Sequence, residues 1–177
     1  LHLPLAGQAG RRAQAAALRR YRRQMDGLLQ QIYTRELIDE NAAGLGALLR
    51  LLAEPANRPA LIHCAVGKDR TGVAAALLLA LLGVPDDVIV AEYSLSNRAH
   101  AEMAALMRPA FRRAWWAGVR PSRLEPLLLA RPQTMRAALA HLRQRYGSVA
   151  AYVREAAGVG DEVVAGLREG LLEATTN

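Results

Sequence analysis

The apolar positions Leu18, Tyr21, Met25, Leu28, Leu29 and Ile32 recur three or four residues apart and predict a long amphipathic helix from about Gly10 to Tyr33. Between them stand six arginines in "RRAQAAALRRYRRQ", which such a helix turns to solvent. A shorter helix, "AAGLGALLRLLAE", is expected after Asn41 as its cap, with Pro55 stopping it. Two apolar runs have the length and character of strands: "LHLPL" at the start and "ALIHC" after Pro59. The run "VAAALLLALLGV" is uniformly apolar and reads as a buried helix over 71–82, ended by Gly83 and Pro85. From Asp86 onward the spacing is helical throughout, broken by a turn at Tyr146, Gly147 and Ser148. No repeat, low-complexity tract or linker interrupts the chain, so residues 1–177 are expected to form one domain.

Composition narrows the class. Hydrophobic residues make up 52% and charged residues 22%, as in globular proteins rather than disordered ones. No apolar run is long enough to be a membrane span, and there is no signal-peptide pattern. A single cysteine excludes an internal disulfide framework, so nothing requires an oxidising compartment and a cytoplasmic location is expected. The chain opens on leucine, and it is expected to begin inside a longer gene product. The net charge of +7 points to anionic partners. The basic cluster near the start carries no nucleic-acid motif, and we read it as the solvated face of its helix, with no nucleic-acid partner.

The chemistry gathers in one stretch, "LIHCAVGKDRTGV", which holds the only cysteine, Cys64, and the only lysine, Lys68, in a chain with twenty-two arginines. A strand running through a glycine-bearing loop into a helix makes an anion site from unpaired N–H groups and the helix dipole. A nucleotide-binding loop would need glycine at 62 and a hydroxyl residue at 69, where this chain has Ile62 and Asp69. A cysteine nucleophile fits better. Facing a helix N-terminus near Lys68 and Arg70, the thiol pKa should fall from about 8.5 toward roughly 3.5–7.5. Arg70 offers a planar fork for two phosphoryl oxygens, and Lys68 is expected to add charge at the rim. Thr71 can give a hydroxyl hydrogen bond to the sulfur, and Gly67 lets the backbone turn an N–H inward. A lone cysteine is most often a small buried hydrophobe and a lone histidine such as His63 a structural residue. Neither reading accounts for Cys64, Gly67, Lys68, Arg70 and Thr71 together.

Cys64, five residues, then Arg70 is the signature of cysteine-dependent protein tyrosine phosphatases, and this chain resembles that family. The fuller string "HCAVGKDRTG" is similar to the atypical microbial branch, which also accepts phosphoinositides. "EYSLSN" at 92–97, "PQTMRAALAHLRQRYGS" at 132–148 and "LREGLLEA" near the end continue the resemblance. Before the loop the likeness is one of layout, and the family's Arg-Asp-Leu-Gly-Gly and Asp-Leu-Arg strands are absent. The resemblance implies an α/β fold, a central sheet flanked by helices, with the N-terminal strands missing and a helix-rich C-terminal half. A sheet truncated in this way leaves an edge that a second chain could cover.

The resemblance also implies roles. Cys64 is the nucleophile, Arg70 binds phosphate and stabilises the transition state, and Ala65, Val66, Gly67, Lys68 and Arg70 form the phosphate cradle with Thr71. Asp69 is the general acid, although its two cationic neighbours oppose proton donation near neutrality. No Trp-Pro-Asp loop exists to supply another, and Asp26, Asp39 and Asp86 have no supporting motif. Residues 101–130, with both tryptophans, Met103 and Met107, are the candidate helical lid; the alternative is that these aromatics are core. The expected function is a phosphomonoester hydrolase with a phosphocysteine intermediate, acting on a phosphorylated protein or a phosphoinositide. No metal or cofactor is implied, because no His, Cys and carboxylate cluster has ligand spacing. The rival is a phosphate-binding module that keeps the cradle and turns over weakly; a sulfur-transfer domain also uses a loop cysteine but does not carry the Gly-Lys-Asp-Arg-Thr run.

Overall fold

The structure is a computed structural model that describes residues 25–116 and 128–172. Helix α1 (Met25–Gln31) runs without a break into a wider π-helical stretch, Ile32–Asp39. Then come α2 (Ala42–Ala53), α3 (Asp69–Leu81), α4 (Asp86–Ser94), α5 (His100–Trp116), α6 (Pro132–Tyr146), α7 (Val149–Glu155) and α8 (Asp161–Leu171). Short 3₁₀ turns at Pro55–Asn57 and Leu95–Ala99 join some of them.

No β-strand is found among the described residues, so the expected central sheet is corrected to a helical assembly. The physical reason lies in pairing. A strand exists only through ladder bonds to another strand, and "ALIHC" has no partner among the described residues. Leu61 is 88% exposed there, with none of the packing its apolar character led us to expect. "LHLPL", the other expected strand, lies outside the described residues, as does the predicted helix before Met25 with its arginine cluster. Among the described residues there is no sheet and so no sheet edge, and a second chain covering one has no support there.

Helix α3 is the centre of the assembly, packed by α2, α4, α7 and the π-helical stretch. Its uniformly apolar sequence fits that place, since every face meets another element. Val73, Leu77 and Leu81 are at most 2% exposed, and burial of each stabilises by about 1.5–3 kcal/mol. Gly72 is required by close approach, because a Cβ there would come within 2.8 Å of the Tyr93 ring on α4. Helix α2 buries Leu45, Leu49 and Leu52 and also receives α8. Asn41 precedes α2 as expected but makes no side-chain capping bond. Ser148 does cap α7, its hydroxyl accepting from the Ala151 N–H at 3.0 Å.

Two polar clamps fix the surroundings of the loop. Asp39 ends the π-helical stretch and accepts from Tyr146 at 2.8 Å, while His141 Nε2 lies 2.9 Å from the same oxygen. With Arg145 at 3.4 Å from its other oxygen, Asp39 ties that stretch to α6. Asn97 pairs with the backbone of Ala130, giving a hydrogen bond to its carbonyl and taking one from its N–H. That clamp sets where the chain re-enters the core before α6. Helix α5 packs densely only against the 3₁₀ turn leading into it, among the described residues.

Candidate active site

The loop reaches α3 two residues earlier than its sequence suggests. Asp69 is the first helical residue, so Thr71 stands within the first turn rather than at its start. Before it, Gly67 sits at φ +70°, a left-handed conformation that only glycine enters without strain, and this turn aims the local N–H groups inward. Those groups converge on Cys64. Partial burial pushes the thiol pKa up, but the Thr71 hydroxyl and the backbone N–H groups of Thr71, Val66 and Gly67 outweigh it. The net result is a thiol lowered to about 7. Thr71 Oγ1 is buried with no fully formed hydrogen bond to any group. Beside a sulfur whose anion it stabilises, it is a donor held ready for the thiolate.

A direct chemical consequence follows from this pKa. At pH 7 about half of Cys64 is thiolate, and below that the reactive fraction falls roughly tenfold per pH unit. Iodoacetamide alkylation should therefore show a midpoint near pH 7 rather than the ordinary thiol value of about 8.5. Because Cys64 is the only thiol, the label needs no assignment. An ordinary midpoint would show that the loop donors do not reach the sulfur.

Lys68 is the largest departure from expectation. It was expected at the rim, yet it is only 1% exposed. Its ammonium is buried and donates to Asp69 Oδ1 at 2.7 Å. The reason is the company it finds there: Tyr33 from the π-helical stretch also donates to Asp69 Oδ1, at 2.7 Å. Since the Tyr33 proton is committed to the carboxylate, Tyr93 donates to the Tyr33 oxygen across their 2.7 Å contact. The two rings meet edge to face with centroids 6.2 Å apart. Burial, then the Asp69 charge, drives the Tyr33 pKa far up, and burial first of all pushes Tyr93 up to about 12. Both phenols therefore stay neutral donors at any ordinary pH.

Asp69 Oδ1 is thus the hub of a buried network of Lys68, Tyr33 and Tyr93, while Asp69 itself remains one-third exposed. Sequence reasoning missed both tyrosines. Tyr93 lies in "EYSLSN", and Tyr33 marks the end of the first predicted helix, but neither position announces a polar partner. The available signal was the lysine itself, since a buried ammonium must find a carboxylate with further donors around it.

Two cavities flank the loop. One, of about 340 Å³, is bounded by Cys64, Arg70 and Thr71 on one side and by Leu48 and Leu51 of α2 on the other. The second, of about 300 Å³, has Val66, Asp69 and Arg70 at one wall and Leu37, Met103 and Met107 among its other boundaries. Glu36 also lines it. Arg70 is common to both, whereas Cys64 and Asp69 line different ones. Of the remaining predicted cradle residues, Ala65 is exposed.

The candidate lid is only partly described. Its first half is α5, whose Met103 is buried and faces the Asp69 cavity with Met107. Residues 117–127 of the predicted lid lie outside the described residues. Trp115 and Trp116 are 65% and 84% exposed, so the reading of them as core is corrected. The carboxylates without a motif have structural partners: Asp39 holds α6, and Asp86 pairs with Arg143 at 2.6 Å. The Asp26 side chain lies outside the described residues. Among the described residues no three His, Cys, Asp or Glu side chains gather as metal ligands.

The family profile described as the tyrosine phosphatase family matches residues 1–173. A protein named as a tyrosine-protein phosphatase in Cupriavidus necator is 43% identical over 96 residues, which are 54% of this chain and 34% of that protein. The triple specificity protein phosphatase PtpB of Mycobacterium tuberculosis is 35% identical over 136 residues, 72% of this chain and 48% of its own length. A tyrosine-protein phosphatase of Nostoc commune is 58% identical over 36 residues, 20% of this chain and 12% of that protein. The chain thus spans less than half the length of the curated relatives it matches.

Proposed function

Since this chain belongs to the tyrosine phosphatase family, we propose that it hydrolyses phosphomonoesters in two steps through a phosphocysteine on Cys64. The observation that carries the reading is the set of donors around the sulfur, which holds its pKa at about 7. In the first step the thiolate attacks phosphorus, the bond to the leaving oxygen breaks, and Asp69 gives that oxygen a proton. In the second, water attacks the phosphocysteine, Asp69 takes its proton, and the sulfur–phosphorus bond breaks to return the thiolate. The donors that stabilise the sulfur anion are also placed to bind phosphoryl oxygens, with Arg70 providing the forked contact. Thr71 then eases departure of the sulfur.

For Asp69 the network supplies a division of labour. Oδ1 accepts from Lys68 and Tyr33, while Oδ2 has no hydrogen bond among the described residues and is the oxygen that carries the proton. The substrate is a phosphorylated protein or a phosphoinositide, and the apolar wall of the Asp69 cavity suits an aryl leaving group. A cytoplasmic location belongs to the same reading; no helix among the described residues is long and apolar enough to cross a membrane. The second reading, a phosphate-binding module with weak turnover, rests on Cys64 and Asp69 lining separate cavities.

Two measurements separate them. A phosphate-release panel of phosphotyrosine peptide, phosphoserine peptide and phosphoinositide decides substrate and turnover together. Asp69→Asn, which keeps an acceptor for Lys68 and Tyr33, should slow poor leaving groups far more than activated aryl phosphates. The basic limb of its pH–rate profile should vanish. Equal slowing of both substrate types, with that limb unchanged, would remove Asp69 as the acid.

A further inference from the structure

The end of α5 carries a surface that the proposed chemistry does not use. Trp115 and Trp116 are the only tryptophans of the chain, and both are exposed, as is Leu106 at 63%. Arg108, Arg112 and Arg113 are exposed beside them and form no ion pair with a described residue. Helical spacing interleaves the two kinds of side chain. Arg112 lies one turn before Trp115 and Trp116, and Arg108 one turn before Arg112. Two large indoles left in water at the end of one helix are an unusual arrangement for a globular surface.

We propose that this face of α5 docks on an anionic membrane surface. Indoles favour the headgroup level, where the ring meets apolar chains and the N–H stays hydrated. Arginines at the same level pair with lipid phosphates, each contributing to attraction by an anionic leaflet. A single-stranded nucleic acid also favours aromatic and basic residues, but it is bound in a groove that tracks its backbone. Here the residues stand on the outer side of a helix that, among the described residues, packs densely only on the turn before it, which suits a flat interface better. The opposite side of α5 places Met103 and Met107 on the Asp69 cavity, so docking would hold that cavity close to the headgroups.

Intrinsic fluorescence tests this directly, because every tryptophan in the chain lies on the proposed surface. With vesicles of phosphatidylcholine containing about one-third phosphatidylserine, emission should shift to shorter wavelength and acrylamide quenching should fall. Vesicles of phosphatidylcholine alone should give neither change, and raising salt to about 0.5 M should reverse both. Replacing Arg112 and Arg113 by glutamate should weaken vesicle affinity by more than about tenfold. Trp115→Ala with Trp116→Ala should reduce co-sedimentation with the anionic vesicles to the level seen with phosphatidylcholine alone. Sedimentation with vesicles while the emission stays fixed would overturn the proposal, since binding would then lie elsewhere, for instance at the arginines of 11–23. So would equal binding to uncharged vesicles, or an emission shift with a single-stranded oligonucleotide but not with vesicles.

Discussion

Cys64→Ser is expected to abolish phosphate release, by at least about a thousandfold, while leaving the fold and phosphate binding in place. What decides the effect is the atom that the loop donors serve. The Thr71 hydroxyl and the N–H groups of Val66, Gly67 and Thr71 bring a thiol to about 7. The same donors cannot ionise a serine hydroxyl near neutrality, because its intrinsic acidity is far lower. They remain available to phosphate oxygens, so the cradle should still bind. Cys64 is only partly buried, and serine differs from it by one atom, so thermal unfolding should move little. Turnover of an aryl phosphate, phosphate binding by calorimetry and a melting curve together decide the matter. If the serine variant kept more than a few per cent of activity, another group would be the nucleophile. Loss of phosphate binding along with activity would mean instead that the sulfur shapes the cradle.

The loop was legible in the sequence because its chemistry restricts residue type at fixed spacing. Only cysteine offers a thiol that the donors of Val66, Gly67 and Thr71 can bring to about 7, and only glycine takes φ +70° without strain at 67. The buried helix after it was legible for a different reason: an apolar run without polar positions has no face for water. The sheet was not legible correctly, because a strand is a property of two segments and "ALIHC" supplies one. Lys68 was misplaced by the same kind of gap. A charged residue is assigned to the surface by default, and only the meeting of Tyr33, Tyr93 and Asp69 from separate helices makes room for it inside. For Trp115 and Trp116 the sequence left two readings, lid or core, and their exposure removes the second.

The buried lysine carries the second large effect, and it is asymmetric. Asp69→Ala should destabilise the protein by about 3–5 kcal/mol, because it leaves a cation with 1% exposure and no counter-charge. Tyr33 loses its acceptor at the same time, so its hydroxyl is stranded against Tyr93. Lys68→Met should cost less, about 1–2 kcal/mol, since the Asp69 side chain is one-third exposed and keeps both water and Tyr33. Combining Lys68→Met with Asp69→Ala should recover most of the loss, because no unpaired ion remains. Urea unfolding of the four proteins closes the cycle, and in a chain of this size melting temperatures should fall by roughly 2–4 °C per kcal/mol. Equal and small costs for the two single variants would place the ammonium in water. The order of the two costs also bears on mechanism. A carboxylate whose Oδ1 is fixed by Lys68 and Tyr33 has only its other oxygen to offer a leaving group, so a large cost for Asp69→Ala would fit the proposed acid role.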